Sequence, residues 1–167
     1  PNVSSRMDNL RAAILRPQIG LLDDRRARWR ALYQGMEAGL EGVAGVRLIP
    51  RPQAEDYMGS SFQFLLPGWE PARVAAFVAG AAARGVELKW FGAEEPMGFT
   101  SRYAHWQYAA PEALPQTDRV LAGLIDMRLP LTFSVPDVAQ IARIIGEEVA
   151  RAASVRALGP VAAVGAD

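Results

Sequence analysis

The sequence predicts an α+β domain with a small, mostly antiparallel sheet covered by helices on one face. Apolar residues recur at helical spacing up to about residue 40, and after Gly42 and Gly45 they alternate with polar residues, as in half-buried strands. The elements follow in the order helix, helix, strand, strand, helix, strand, helix, strand, helix. No internal repeat or clear linker interrupts this order, so one domain accounts for most of the chain.

Composition argues against several classes of protein. The 167 residues hold 18 Lys and Arg against 18 Asp and Glu, so no net charge is available to attract nucleic acid or an anionic membrane. The absence of Cys excludes disulfides, thiolate metal sites and a Cys nucleophile. No apolar run approaches the ~20 residues that span a bilayer, and the first residues do not resemble a signal peptide. We therefore expect a cytoplasmic protein that binds neither nucleic acid nor membrane.

Two helices are predicted before the first strand. Ser5 is expected to cap the first, with Asp8 in its first turn, and Pro17 should break or kink it because proline lacks the amide hydrogen. The second is predicted from about Ile19 to Leu40, with "DDRRARWR" as its solvated face. The apolar stripe of the first helix consists of Met7, Leu10, Ile14 and Leu15. The buried side of the second consists of Leu21, Leu22, Trp29, Leu32, Tyr33 and Met36.

The four predicted strands lie in "GVRLIP", "SSFQFLLPG", "VELKWFG" and "MRLPLTF". The remaining helices are predicted to start at Glu70, Thr117 and Ser134, and the second of these is expected to run through Ile125. Residues that share one face of a strand are Phe62, Phe64 and Leu66 in the second and Val86, Leu88 and Trp90 in the third. Residues expected to face the core from helices are Val74, Phe77 and Val78, then Val138, Ile141, Ile145 and Val149.

Candidate catalytic residues are few. His105 lies in "SRYAHWQY" with no Asp, Glu or Cys at metal-ligand spacing, so we interpret it as a packed or surface residue and expect no metal site. Glu94 and Glu95 could act as a general acid and base, although a solvated loop is the simpler interpretation. Glu147 and Glu148 are expected to face solvent from the last helix.

Lys89 is the only lysine, which raises the question of a Schiff-base role. By two-residue alternation its side chain points away from the face that holds Leu88 and Trp90, so an exposed strand lysine is the favoured interpretation. The irregular stretch that follows, "AEEPMGFTSRYAHWQYAAPEALPQ", is rich in aromatic residues, and loops of this length are often functional.

Four stretches, in this order, resemble the DegT/DnrJ/EryC1/StrS family of pyridoxal-phosphate-dependent aminotransferases. "SSRMDNLRAAIL", with the long helix and strand that follow it, is similar to the Asn-x-Arg-Met motif of the family and the helix that this motif opens. "GVELKWFG" resembles its substrate-side strand, "TDRVLAGLIDMRLPLTF" its helix and Leu-Pro-Leu strand, and "SVPDVAQIARIIGEEV" its closing helix. The resemblance extends to about Ala152.

The resemblance implies a small C-terminal domain of a fold type I enzyme, with its connecting helices, over residues 1–152, and a flexible tail over residues 153–167. The large domain that binds pyridoxal phosphate, with the Schiff-base lysine, would lie outside this chain, so no residue here is expected to be catalytic and the chain alone should be inactive. The parent would be a homodimer that transfers an amino group from an amino acid to a keto-sugar or a similar small-molecule carbonyl.

The resemblance also implies roles for particular residues. In the family, the Asn of the motif reaches toward the cofactor phosphate of the neighbouring subunit; Ser4 stands at this position, and its hydroxyl can still donate to a phosphate. Arg6 matches the Arg of the motif and is expected either to bind a carboxylate or phosphate or to form a structural ion pair. Lys89, Trp90 and His105 would lie on the substrate side.

Two other hypotheses remain open from the sequence. The first is a non-catalytic dimerisation or ligand-binding module that has the same small-domain fold. The second is an unrelated α+β binding domain.

Overall fold

The computed structural model describes residues 7–95, 103, 106 and 112–154. Within them, helices and strands follow in the predicted order, which confirms the α+β class. The elements are α1 (Asn9–Ile19), α2 (Leu22–Leu40), β1 (Arg47–Leu48), β2 (Ser61–Leu65), α3 (Pro71–Ala83), β3 (Lys89–Trp90), α4 (Pro115–Leu121), β4 (Leu124–Arg128) and α5 (Val135–Ser154). The division into a domain over residues 1–152 and a tail over 153–167 stays a prediction, since residues from 155 onward lie outside the described part.

The four strands form one antiparallel sheet in the order β1-β2-β4-β3. β4 is the last of these strands in the chain, yet it lies between β2 and β3 and pairs with both. Ile125 of β4 is therefore aligned with Phe64 on one side and with Trp90 on the other. This central position explains why Ile125 is fully buried.

One face of the sheet carries the hydrophobic core. Phe62, Phe64 and Leu66 share this face, as predicted, and each is at most 1% exposed. Helices α2, α3 and α5 pack onto it; the ring centroids of Tyr33 and Phe62 are 4.8 Å apart, and those of Phe64 and Phe77 are 6.4 Å apart. The predicted inward-facing residues of α3 and α5 that are buried are Val74, Phe77, Val138, Ile145 and Val149, while Val78 and Ile141 are half-buried.

The first helix differs from its prediction. α1 has no buried residue, and Met7, Leu10 and Ile14 are 62%, 71% and 56% exposed. The N-cap of α1 is Asp8, whose carboxylate accepts a hydrogen bond from the Arg11 amide at 2.7 Å. The predicted cap, at position 5, lies outside the described residues. The apolar stripe of α1 thus exists but is not covered by the described part of this chain.

The break between the first two helices falls later than Pro17. α1 continues through this proline to Ile19, and α2 begins at Leu22. Because α1 is exposed, water can solvate the Ala13 carbonyl that Pro17 leaves without an amide donor, so the helix tolerates the proline. Leu21 and Leu22 lie at the break and are 50% and 47% exposed, so the prediction that they belong to the core is wrong.

The boundary between α4 and β4 also differs from its prediction. The helix was expected to start at Thr117 and to include Ile125, whereas α4 begins two residues earlier at Pro115 and Ile125 is a buried strand residue. Gly123 makes the turn between the two elements, because a Cβ there would lie 2.7 Å from the carbonyl oxygen of Leu66. The predicted strand "MRLPLTF" is wrong for most of its length, since β4 ends at residue 128, before a proline that could not donate a ladder hydrogen bond.

A buried carboxylate joins α3 to α5. Glu148, predicted to face solvent like its neighbour Glu147, is only 5% exposed. Its oxygens lie 3.3 Å from a guanidinium nitrogen of Arg84 and 2.6 Å from one of Arg151. Gly80 provides the space, because a Cβ there would overlap this carboxylate. Hydrogen bonds, first from Arg151 and then from Arg84, hold the pKa of Glu148 below its ordinary value despite burial.

Glu148→Gln should lower the free energy of unfolding at neutral pH by on the order of 1–2 kcal/mol. This is less than the ~3–5 kcal/mol of a fully buried pair, because the Arg84 and Arg151 side chains are 34% and 54% exposed. A lowered folded-state pKa means that this stability is present above the unfolded pKa and is lost as the pH falls through the folded one. Urea unfolding should therefore show a difference between variant and parent that shrinks toward about pH 3.

The control for this prediction is Glu147→Gln, which changes the exposed neighbour in the same arginine network and should have a smaller effect. The prediction would be contradicted if Glu148→Gln lowered the free energy of unfolding by the same amount at neutral pH and at about pH 3.

Candidate functional site

Of the five residues that the sequence places in a site, the structure describes two. Lys89 and Trp90 form β3, at the edge of the sheet next to β4. Ser4, Arg6 and His105 lie outside the described residues. β3 and the elements around it are therefore the described part of the predicted site.

Lys89 and Trp90 point to opposite faces of the sheet. Trp90 is aligned with Ile125 and packs against the core, as predicted, whereas Lys89 is aligned with Asp126 on the other face. Gln63 of β2 is aligned with Asp126 from the opposite side, so the three polar residues form a row across the middle of this second face. Lys89 is half-buried rather than exposed, and Asp126 is 6% exposed. The two candidate residues of β3 thus do not belong to one binding surface.

The orientation of the Trp90 ring is fixed by two neighbours. Its indole nitrogen donates a hydrogen bond to the Ala122 carbonyl, just beyond the end of α4, at 2.8 Å. Gly92 lies against both groups, since a Cβ there would be 2.6 Å from the indole nitrogen and 2.8 Å from the Ala122 Cα. Only glycine permits this close approach of the turn after β3 to α4.

Trp90 lines an open groove of about 570 Å³, which we name the Trp90 groove. It lies between the first turns of α3, the turn after β3, and α4. Its lining consists of Pro71, Ala72, Ala75, Trp90, Phe91, Gly92, Ala93, Glu94, Asp118, Leu121 and Ala122. Among the described lining residues, Glu94 and Asp118 are the charged ones, and both are acidic.

Asp118 is held in place at the wall of the groove. Its Oδ2 accepts a hydrogen bond from the Tyr103 hydroxyl at 2.9 Å, and the Leu114 amide donates to the same hydroxyl at 3.3 Å. No described residue donates a hydrogen bond to the other oxygen, Oδ1. Sequence reasoning missed Asp118, because a helix start at Thr117 left the aspartate as an ordinary first-turn acid. Glu94 is exposed, in agreement with the interpretation of this segment as a solvated loop.

The charge of the Trp90 groove limits what it can hold. Two carboxylates, with no cation among the lining residues that the structure describes, disfavour a phosphate or a carboxylate. In the described part of the chain, no group of three His, Asp or Glu side chains is arranged to hold a metal ion. The same part has no helix that is both long and apolar enough to cross a bilayer.

The sequence profile of the DegT/DnrJ/EryC1/StrS aminotransferase family matches residues 1–146. The chain belongs to this family. The match covers most of the chain, including the opening motif and most of the closing helix, and it confirms the resemblance. None of the curated proteins has a significant sequence match to the chain.

Solved structures of DegT/DnrJ/EryC1/StrS aminotransferases and related enzymes share the fold. The aminotransferase TlmJ from Streptoalloteichus hindustanus superposes with a TM-score of 0.70 at 19% identity, over 85% of this chain and 36% of that one. 3-Amino-5-hydroxybenzoic acid synthase superposes with a TM-score of 0.66 at 21% identity, over 84% of this chain and 38% of that one. A Brucella abortus DegT/DnrJ/EryC1/StrS aminotransferase gives a TM-score of 0.62 at 18% identity, over 84% and 35%. The chain thus spans little more than a third of the length of these structures.

Proposed function

We propose that this chain is the C-terminal part of a pyridoxal-phosphate-dependent aminotransferase that transfers an amino group to a keto-sugar or a similar carbonyl compound. The family match over residues 1–146 carries the proposal. A sugar aminotransferase of Streptococcus pneumoniae in its PMP form, which superposes with a TM-score of 0.68 at 12% identity over 88% of this chain and 36% of that one, supports the cofactor and the sugar substrate. A cytoplasmic location stays a prediction.

The described residues do not fit the cofactor by themselves. The described lining of the Trp90 groove contains two carboxylates, which oppose a phosphate group, and the Lys89 side chain lies on the other face of the sheet. None of the described glycines with positive φ lines the groove; these are Gly42, Gly45, Gly59, Gly68 and Gly85. We propose that the cofactor and its Schiff-base lysine belong to a large domain outside this chain, and we assign no catalytic step to the described residues.

Ser4 and Arg6 are proposed to approach the cofactor phosphate of a neighbouring subunit, as the family motif implies. Lys89, Trp90 and His105 are proposed to lie toward the substrate. Since Lys89 and Trp90 point to opposite faces, at most one of these two side chains contacts a given substrate molecule.

The exposed surface of α1 supports a partner at this end of the chain. An isolated helix of 11 residues is marginal in water, and α1 buries none of its residues in the described part of the chain. Leu10 and Ile14 lie one turn apart and, with Met7, form an apolar stripe that a large domain or a second subunit would cover. This is the surface expected of a connecting helix in a homodimeric enzyme.

The double variant Leu10→Glu, Ile14→Glu should therefore weaken self-association of the full-length protein. Two charges buried in a subunit or domain contact cost several kcal/mol, so we expect the dimer dissociation constant to rise at least 100-fold. Sedimentation equilibrium measures this change. Ala12→Glu with Arg16→Gln adds the same charge to the other side of α1 and serves as the control. Equal association of both double variants would contradict a stripe that is buried between subunits.

The proposed activity is tested with the full-length protein loaded with pyridoxal phosphate. L-Glutamate is added, and both the absorbance of the cofactor and the release of 2-oxoglutarate are followed. Formation of 2-oxoglutarate that stops after one equivalent until a keto-sugar nucleotide is added would support amino transfer. If neither L-glutamate nor any other of the twenty standard amino acids is converted to its 2-oxo acid, the alternative, a non-catalytic module with the same fold, would be favoured. The exposed α1 stripe is the observation that keeps this alternative, because a dimerisation module would need it too.

A further inference from the structure

A segment without helix or strand joins β1 to β2 and lies against α2. We name residues 51–59 the Tyr57 strap. Its two ends are fixed by the sheet, since β1 pairs with β2 and the Ser60 carbonyl accepts a hydrogen bond from the Leu129 amide at 3.0 Å. Within the strap, the Glu55 amide donates to the Pro52 carbonyl at 2.9 Å. The main chain of the strap makes no hydrogen bond to the main chain of any described residue outside it.

Two arginines of α2 attach the strap through ion pairs. Arg26 and Arg30 lie one turn apart, and both pair with the carboxylate of Asp56; a guanidinium nitrogen of Arg26 lies 2.7 Å from it. The Arg30 side chain also donates a hydrogen bond to the Tyr57 carbonyl at 3.4 Å. Each of the three paired side chains is at least 35% exposed. Exposed ion pairs contribute little to stability and are weakened by salt.

A stack of three side chains holds the middle of the strap. The Arg51 guanidinium lies over the rings of Tyr33 and Tyr57, at 4.9 Å and 4.5 Å from their centroids, and donates a hydrogen bond to the Tyr33 hydroxyl at 3.0 Å. The two ring centroids are 4.9 Å apart. Tyr33 belongs to the core, whereas Gly59 is the only buried residue of the strap. Because cation–π contacts of partly exposed groups are weak, several small contributions together hold the strap closed.

We propose that the Tyr57 strap opens as a unit while the rest of the domain stays folded, and that ionic strength sets how often it opens. In the open state, the Asp56 carboxylate leaves Arg26 and Arg30, and the Tyr57 ring leaves Tyr33, which becomes accessible to solvent. Segments with few buried contacts and few backbone hydrogen bonds are the ones that open locally. The strap shares no residue with the candidate site, and its opening needs no cofactor.

Chymotrypsin is the probe, because it cleaves after Tyr57 only when this side chain leaves the stack and enters the specificity pocket of the protease. The full-length protein is digested, and mass spectrometry identifies the cut between Tyr57 and Met58. Each rate is divided by that of a peptide with the sequence of residues 50–60 of the same variant, which corrects for direct effects of salt, urea and substitutions on the protease.

Two results are expected for the unmodified protein. The normalised rate should stay constant at low urea concentrations, since a local opening exposes little surface. It should rise on the order of threefold or more when NaCl is raised from about 50 mM to about 1 M, because salt screens the ion pairs of the strap.

Variants separate the attachments. Asp56→Asn removes both ion pairs and should raise the normalised rate on the order of threefold or more and reduce its dependence on salt. Arg51→Lys keeps the charge but loses the flat guanidinium that covers both rings, so it should also raise the rate. Asp23→Asn is the matched control and should leave the rate unchanged, because Asp23 pairs with Arg26 within α2.

Four results would overturn the proposal. They are no cut after Tyr57, a rate that rises with urea as steeply as global unfolding, the same rate at both salt concentrations, and equal rates for Asp56→Asn and Asp23→Asn.

Discussion

Truncation of Phe77 to alanine is expected to lower the free energy of unfolding of this chain by about 3–5 kcal/mol. Phe77 is fully buried at the centre of α3, and its ring meets Phe64 and Trp69 edge-on at centroid distances of 6.4 Å and 6.1 Å. The variant loses the apolar area of the ring and leaves a cavity between α3 and the sheet. A loss of this size is a large fraction of the ~5–15 kcal/mol that stabilises a typical domain.

Urea unfolding followed by circular dichroism measures the Phe77→Ala loss, with the midpoint and the slope fitted separately. Val78→Ala is the control, because its side chain is the next one along the same helix and only half-buried. We expect the control to cost less than half as much. A Phe77→Ala loss below about 1 kcal/mol would contradict the packing of α3 described above.

Gly39→Ala should destabilise the chain by about 1–3 kcal/mol, although the same change in an exposed helix stabilises by ~0.5–1 kcal/mol. Gly39 lies where α2 crosses α5, and a Cβ there would approach the Ala142 Cβ to 2.5 Å. Ala142 is fully buried, so neither helix can move aside without opening the core.

The compensating double variant tests this explanation. Gly39→Ala with Ala142→Gly moves the methyl group from one helix to the other, and we expect it to recover most of the lost stability of the single variant. Urea unfolding of the two single variants and the double variant completes the cycle. Additive losses would show that the close contact between the helices is not the cause.

Much of the fold was predictable because the sequence signals were local. The alternation of Phe62, Phe64 and Leu66 and the helical spacing of Val138, Ile145 and Val149 identify their core faces directly, since these segments bury one side only. The predictions were wrong where a contact with a residue far away in the sequence determines the local structure. The apolar pattern around Ile125 is compatible with a helix, but the central position of β4 between β2 and β3 makes it a strand.

The burial of Glu148 was hidden for a similar reason. The position of Glu148 on α5 suggests that it belongs to a polar face. The side chain is buried because α5 packs against Gly80 of α3 and against Arg84, which caps the C-terminal end of α3. Nothing in the spacing of these residues along the chain indicates that they meet.

The candidate site was less predictable than the fold. The alternation along "LKW" correctly separates Lys89 from Trp90. The Trp90 groove, however, is assembled from residues of α3, the turn after β3, and α4, which are far apart in sequence. Asp118 is recognisable only from the hydrogen bond that it accepts from Tyr103 and from its place in the lining of the groove. The family itself was recognised through the order of four short motifs rather than through any single residue.

We propose that this chain is the small domain of an aminotransferase whose cofactor is bound to a lysine elsewhere in the protein. The test is to reduce the full-length protein with borohydride in the presence of pyridoxal phosphate. Peptide mapping then identifies the lysine that carries the cofactor. We predict one stoichiometrically labelled lysine outside these 167 residues, with Lys89, the only lysine of the chain, unlabelled. Stoichiometric labelling of Lys89, lost together with amino transfer in Lys89→Ala, would contradict the account.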